Sequence, residues 1–76
     1  MKKIIGNYLY IKNEPNLIDV FEITQGESEG SDLYTLIAMF RLNGNDIICT
    51  SPIDQSNYME LRNTAISIFK GEITLD

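Results

Sequence analysis

Few side chains in this 76-residue chain could carry chemistry: it has no histidine and a single cysteine, Cys49. A cysteine nucleophile needs a neighbouring base or cation to lower its pKa, and the imidazole that commonly serves is missing. The Ser–His–Asp arrangement fails for the same reason. Neither an internal disulfide nor a Cys/His metal cluster can be assembled. Cys49 follows Ile47 and Ile48 in an apolar stretch and reads as a small core side chain. Carboxylates are more numerous, 11 Asp and Glu against 6 Lys and Arg. They gather in a turn and a Gly/Ser-rich segment, where ionised groups stay solvated and no pair gains the apolar setting of a general acid. Glu27, Glu29 and Asp32 lack the dense alternation and distal Glu of a calcium loop. Gly26-x-x-x-Gly30 is not followed by Gly-Lys-Ser/Thr, so it is not a phosphate loop. No catalytic, metal or cofactor residue is expected, and the chain reads as non-enzymatic.

Binding is the remaining class. The formal net charge is −5, distributed unevenly: residues 1–12 carry +3, residues 13–40 carry −6 and the rest carry −2. A net-acidic domain repels the phosphate backbone, so direct nucleic-acid binding is disfavoured. Lys2, Lys3 and Lys12 could seat a phosphate, although lysines on an edge strand more often deter edge-to-edge aggregation. The acidic window 14–32 suggests a sharper possibility. Spaced carboxylates at Glu22, Glu27, Glu29 and Asp32 imitate a phosphate backbone and would steer a basic, nucleic-acid-binding protein toward this chain. Tyr8, Tyr10, Tyr34 and Tyr58 offer contact area to a partner, or else pack across strands.

The positioning elements follow from local pattern. Residues 3–12 are rich in Ile and Tyr and predict a strand. Asn13-Glu14-Pro15-Asn16 is a turn. Residues 17–24 have the β-branched content of a second strand; Asn13 as cap and Pro15 in a first turn leave a short helix over 15–24 as the alternative. Residues 25–31 have no apolar side chain and predict an exposed, mobile loop. Asp32 to Leu42 reads as the longest strand. Asn43-Gly44 predicts a two-residue type I′ hairpin that opposes Leu42 to Asn45, Arg41 to Asp46, Phe40 to Ile47 and Ala38 to Cys49. Ser51 as cap, Pro52 at the first helical position and Asp54 behind them start a helix. Its stripe is Tyr58, Leu61, Ala65, Ile68 and Phe69, and it stops at Lys70-Gly71. Residues 72–76 either add a very short strand or fray. The expected fold is thus one α+β domain over residues 1–76: a mostly antiparallel sheet of about four strands with one C-terminal helix on one face (β-β-β-β-α, or β-α-β-β-α).

The third strand carries the most information. Tyr34, Leu36, Ala38, Phe40 and Leu42 are apolar at even positions, and Leu33, Ile37 and Met39 are apolar at odd ones. A strand solvated on one side alternates, so this one is expected to be covered on both. A single helix covers a single face, with Leu36, Phe40 and Ile47 expected to meet it. The other face, read as including Ile37, Met39 and Ile48, is then covered by residues 15–24 if they are helical, by a homodimer partner or by another protein, or else holds scattered exposed apolar side chains as much of any protein surface does. The longest apolar run, residues 36–40, is far short of the roughly 20 that a membrane span requires. With an unpaired cysteine and no signal-like apolar segment, the expectation is a cytoplasmic protein with no membrane partner. Twelve isoleucines and seven asparagines suggest AT-rich coding, as in a low-GC bacterium, its phage or its plasmid. The functional expectation is a protein-interaction module, a small acidic inhibitor or adaptor from a phage or mobile element. The alternative is a homodimeric structural or small-ligand-binding domain that buries the same apolar face.

Overall fold

In a computed structural model the chain folds as five antiparallel strands and one helix, in the order β1 (Lys2–Ile5), β2 (Tyr8–Glu14), β3 (Leu17–Thr24), β4 (Leu33–Asn43), β5 (Asp46–Thr50) and α1 (Tyr58–Phe69). The structure describes residues 1–28, 30–51 and 56–76. The strands lie in the sheet in chain order, a meander that needs only short connections.

The strand expected over residues 3–12 is two strands. Gly6-Asn7 closes a hairpin in which Ile5 opposes Tyr8, with Gly6 at φ +62. Positive φ at the first central residue alone is the type II′ pattern, which a glycine enters without steric cost. The same chemistry corrects the hairpin at Asn43-Gly44. A type I′ turn over that pair would put Asn43 at positive φ, whereas among the described residues only glycines have positive φ, Gly44 being at +64. The turn therefore centres on Gly44-Asn45. Asn43 opposes Asp46, Leu42 opposes Ile47, Arg41 opposes Ile48 and Phe40 opposes Cys49. Residues 17–24 are strand, paired along β2 and β4, and the helical alternative is not adopted.

A β-bulge governs which side chains are inside. Val20 opposes Ala38 but Phe21 opposes Leu36, so Ile37 is an extra residue in β4. Bulging places consecutive side chains on one side, and Ile37 and Ala38 are each 1% exposed. The Ser51 hydroxyl donates to the Ile37 carbonyl at 2.7 Å, satisfying an acceptor at the break in the ladder. Parity reverses here: Ala38, Phe40 and Leu42 face the helix, while Leu36 and Tyr34 face away from it.

The core lies between α1 and one sheet face. Leu61, Ala65 and Ile68 pack with Tyr8, Tyr10, Ile18, Val20, Ala38 and Phe40, and Phe69, Ile47 and Cys49 flank them. Tyr58, expected in the buried stripe, stands at the rim with its ring 6.2 Å from that of Phe40. The helix begins later than Ser51-Pro52 predicts. Asn57 occupies the cap position without a capping hydrogen bond, and its side-chain amide nitrogen donates to the Tyr8 hydroxyl at 2.6 Å. Pro52 and Asp54 lie outside the described residues. At the other end the expected stop holds. Gly71 has φ +78, its N–H reaches the Ile68 carbonyl, and that of Glu72 reaches the Ser67 carbonyl, a complete Schellman closure. The tail then returns to the sheet. Leu75 is buried, and Asp76 exchanges both backbone hydrogen bonds with Lys2 at 2.9 Å, covering part of the outer edge of β1.

Candidate functional site

The sheet face opposite α1 is the most distinctive surface of the molecule. Residues that oppose one another in an antiparallel ladder share a face, so the register lays this surface out in rows. One row runs Ile4, Leu9, Phe21, Leu36 across four strands. Next to it runs Lys2, Ile11, Asp19, Met39, Thr50 across all five. Leu17, Arg41 and Ile48 form a third row, and Ile23 with Tyr34 flank the first. No described element lies over these side chains; most are half-buried only because they shade one another. Ile4, Tyr34 and Ile48 are 57%, 51% and 47% exposed. Contiguous apolar surface of this kind marks an interaction site far more often than a solvent boundary.

One polar group is embedded in the patch. Asp19 accepts a hydrogen bond from the Asn13 amide at 2.6 Å through Oδ2, while its Oδ1 is shielded from solvent with no hydrogen-bond partner. An unsatisfied carboxylate oxygen is costly, and a donor arriving with a binding partner would relieve it. Arg41 stands one diagonal step away on β4, since Leu17 opposes Arg41 and Asp19 opposes Met39.

The expected interface residues are divided among different places. Met39 and Ile48 lie on the open face. Ile37 does not: the bulge turns it into the core, a correction to the expectation that odd positions of β4 share one side. Leu36 is displaced in the opposite sense, away from the helix it was expected to meet. Sequence parity missed it as a surface residue, and only an irregularity in the ladder could have revealed it. Glu22 opposes Tyr8 and belongs to the helix side of the sheet, while Glu27 and Asp32 are exposed in the β3–β4 connection. Glu29 lies outside the described residues. Of these acids Glu22 thus lies across the sheet from the apolar patch, while Asp32 stands two residues before Tyr34 at its end. In the β3–β4 connection the Ser31 hydroxyl and N–H both donate to the Ser28 carbonyl, at 2.5 and 3.1 Å.

Other candidates are weaker. Cys49 faces Phe40, not Ala38, and burial raises its thiol pKa from the ordinary 9.0, the opposite of nucleophile activation. Tyr8 and Tyr10 are sheet aromatics under the helix. Burial raises the Tyr10 phenol above its ordinary 10.0, with the nearby Glu60 charge adding to the rise and a hydrogen bond with Thr64 opposing it. Lys3 and Lys12 oppose Tyr10 and Ile18 on the helix side, whereas Lys2 is on the other face, so the three lysines form no common anion seat. A groove of about 370 Å³ between the β4–β5 hairpin and α1 includes Arg62 and Lys70 over Leu42, Ile47 and Phe69. It lies at the carbonyl end of the helix, whose partial negative charge opposes an anion. Among the described residues no group of three His, Cys, Asp or Glu is placed to hold a metal ion, and no helix is long and apolar enough to cross a membrane. No protein-family model, curated protein or solved structure matches the chain.

Proposed function

We propose that the chain is a non-enzymatic protein-interaction module, an adaptor or inhibitor whose working surface is the open face of the sheet. The observation that carries this reading is the apolar patch running from Ile4 on β1 to Ile48 on β5, over which no described part of the chain folds. A β-sheet hydrophobic on both faces gains its second layer from outside itself. The acidic β3–β4 connection has a subsidiary part in this reading: its exposed Glu27 and Asp32 would steer the encounter with a basic protein.

Site-specific photo-cross-linking in cells tests the assignment. A photo-reactive amino acid at Met39 or Ile48 is expected to capture protein, whereas one at Asp32 or Glu60 is not. Capture only from the latter positions, or from none, refutes the open face as the working surface.

A further inference from the structure

We propose that the occupant of the open face is a second copy of this chain, packed sheet to sheet about a two-fold axis running between β3 and β4, with Arg41 of each copy on Asp19 of the other. The inference rests on the reading of this face as the interaction surface and names its partner.

Charge is the first argument. Of the chain's net −5, the open face holds little: Lys2 and Arg41 stand there against Glu14, Asp19 and Asp46, with Glu14 and Asp46 at the turn end. A basic partner would be attracted by the loop acids and find an excess of only one negative charge on this face. A copy of the chain meets a surface of nearly balanced sign like its own, while the axis sets the two β3–β4 connections, with Glu27 and Asp32, side by side, a repulsion that salt screens.

Self-complementarity is the second. A two-fold interface is isologous, so any group that needs a partner must find it on the same patch. Asp19 Oδ1 is shielded and lacks a donor, while Arg41 is exposed one diagonal step away on the neighbouring strand. An axis between those strands lays β3 of one copy over β4 of the other and offers each carboxylate a guanidinium. Arginine suits the position because its fork donates two parallel hydrogen bonds to a carboxylate.

Area is the third. The five strands, of 4, 7, 8, 11 and 5 residues, at about 3.3 Å per residue and about 4.8 Å between strands, present a face of roughly 550 Å² in projection. Two such faces in contact remove roughly 1,100 Å² in all, just above the roughly 1,000 Å² that a specific interface must clear. Two twisted sheets packed about 10 Å apart would complete a sandwich flanked by one helix on each outer side.

Sedimentation equilibrium of the full chain, from about 1 μM to about 500 μM, reads the mass as a function of concentration. The expected limit is twice the chain mass of 8.7 kDa. Met39→Lys, Asp19→Arg and Arg41→Asp should each weaken association by about 100-fold or more, the charge variants because the two-fold axis makes each of them break two desolvated pairs. The double variant Asp19→Arg/Arg41→Asp should recover most of that loss. Circular dichroism of each variant confirms that it folds. A wild-type chain that stays at 8.7 kDa throughout overturns the inference; the cross-linking at Met39 and Ile48 then judges the interaction surface independently, with a different protein as the captured species. A dimer indifferent to Met39→Lys overturns the choice of face. A dimer whose charge-reversed double variant is as weak as either single variant, or whose single variants associate normally, overturns the Asp19–Arg41 contact.

Discussion

The bulge at Ile37 makes a prediction that no other feature of the chain would make. Simple alternation along β4 from the inward Ala38 would send Ile37 outward beside Met39 and bring Leu36 into the core. With the bulge, Ile37 is 1% exposed and Leu36 lies across the sheet from the helix. Replacing a buried isoleucine by alanine costs about 2–5 kcal/mol, from the lost transfer energy and the cavity left behind. A 76-residue domain has a total stability of about 4–11 kcal/mol. Ile37→Ala at about 3 kcal/mol therefore removes a large part of it and lowers Tm by about 12–24 °C. Leu36→Ala and Met39→Ala, at partly buried positions of the isolated chain, should each cost about 1–2 kcal/mol, less than Ile37→Ala. The assay is urea unfolding followed by circular dichroism at low micromolar protein, where self-association contributes least. With a slope near 1 kcal/mol/M, the midpoint for Ile37→Ala moves by about 3 M, well beyond the error of extrapolation. A larger loss for Leu36→Ala than for Ile37→Ala would refute the bulge and with it the assignment of faces. Equal losses would mean that both residues are buried and that the second face is covered even at low concentration.

Three further outcomes follow from individual contacts. Tyr8→Phe removes the acceptor of the Asn57 amide and should cost about 0.5–1.5 kcal/mol in urea unfolding, with Asn57→Ala adding little to it; additive losses would show that the two residues act separately. Gly44→Ala meets no atom within 4 Å but places a Cβ at φ +64, so it should cost about 1–2 kcal/mol through backbone strain alone, and the same change at Gly6, at φ +62, should match it. Stability should also fall in alkali. Tyr10 and Cys49 are acids whose pKa values burial raises, so the folded chain keeps protons that the unfolded chain releases around the ordinary values of 10.0 and 9.0. Their contribution is complete below the unfolded values and is lost as pH rises through the folded ones, so Tm should be level near pH 7 and fall as pH rises above about 9. Tyr10→Phe combined with Cys49→Ala should flatten that drop; an unchanged slope would assign it to other groups.

The features legible in the sequence are those set by one residue and its near neighbours. Gly71 stops the helix because a C′ residue at positive φ is needed there, and Leu61, Ala65 and Ile68 are buried because their spacing returns to one side of a helix. The strand over 17–24 is visible in its β-branched content. Features that depend on competition between equivalent local choices were harder to read. Asn43-Gly44 and Gly44-Asn45 both make good turns, and the choice between them shifts every pair in the β4–β5 hairpin. Gly6-Asn7 could pass as the middle of one strand, since Ile and Tyr surround it on both sides. Asn57 could cap the helix with its side chain or bind Tyr8, and the tertiary contact prevails. Most consequentially, a strand apolar at nearly every position gives no signal of where its alternation breaks. Doubly apolar β4 was readable, but which residues face which way was not. Met39 and Ile48 lie on the open face because a hairpin register shifted by two residues keeps each strand's alternation, whereas the parity that puts Ile37 beside them is reversed by the bulge.

That open face is a consequence of the topology. A meander of five strands in chain order spends most of the chain on hairpins and leaves only the C-terminal segment to form a second layer. The 12 residues of α1 extend about 18 Å at 1.5 Å per residue, enough to cover the middle of one sheet face and no part of the other. In a chain meant to remain alone, selection for solubility would place polar residues on the uncovered side, as half-solvated antiparallel sheets do. Here Leu9, Phe21, Leu36 and Met39 occupy its centre, and the charged residues there are Asp19, with an oxygen awaiting a donor, and Arg41, able to supply one. Part of the outer edge of β1 is already closed by the Asp76–Lys2 exchange. Association through the flat of the sheet, as proposed, would give that carboxylate oxygen its donor and those side chains their cover.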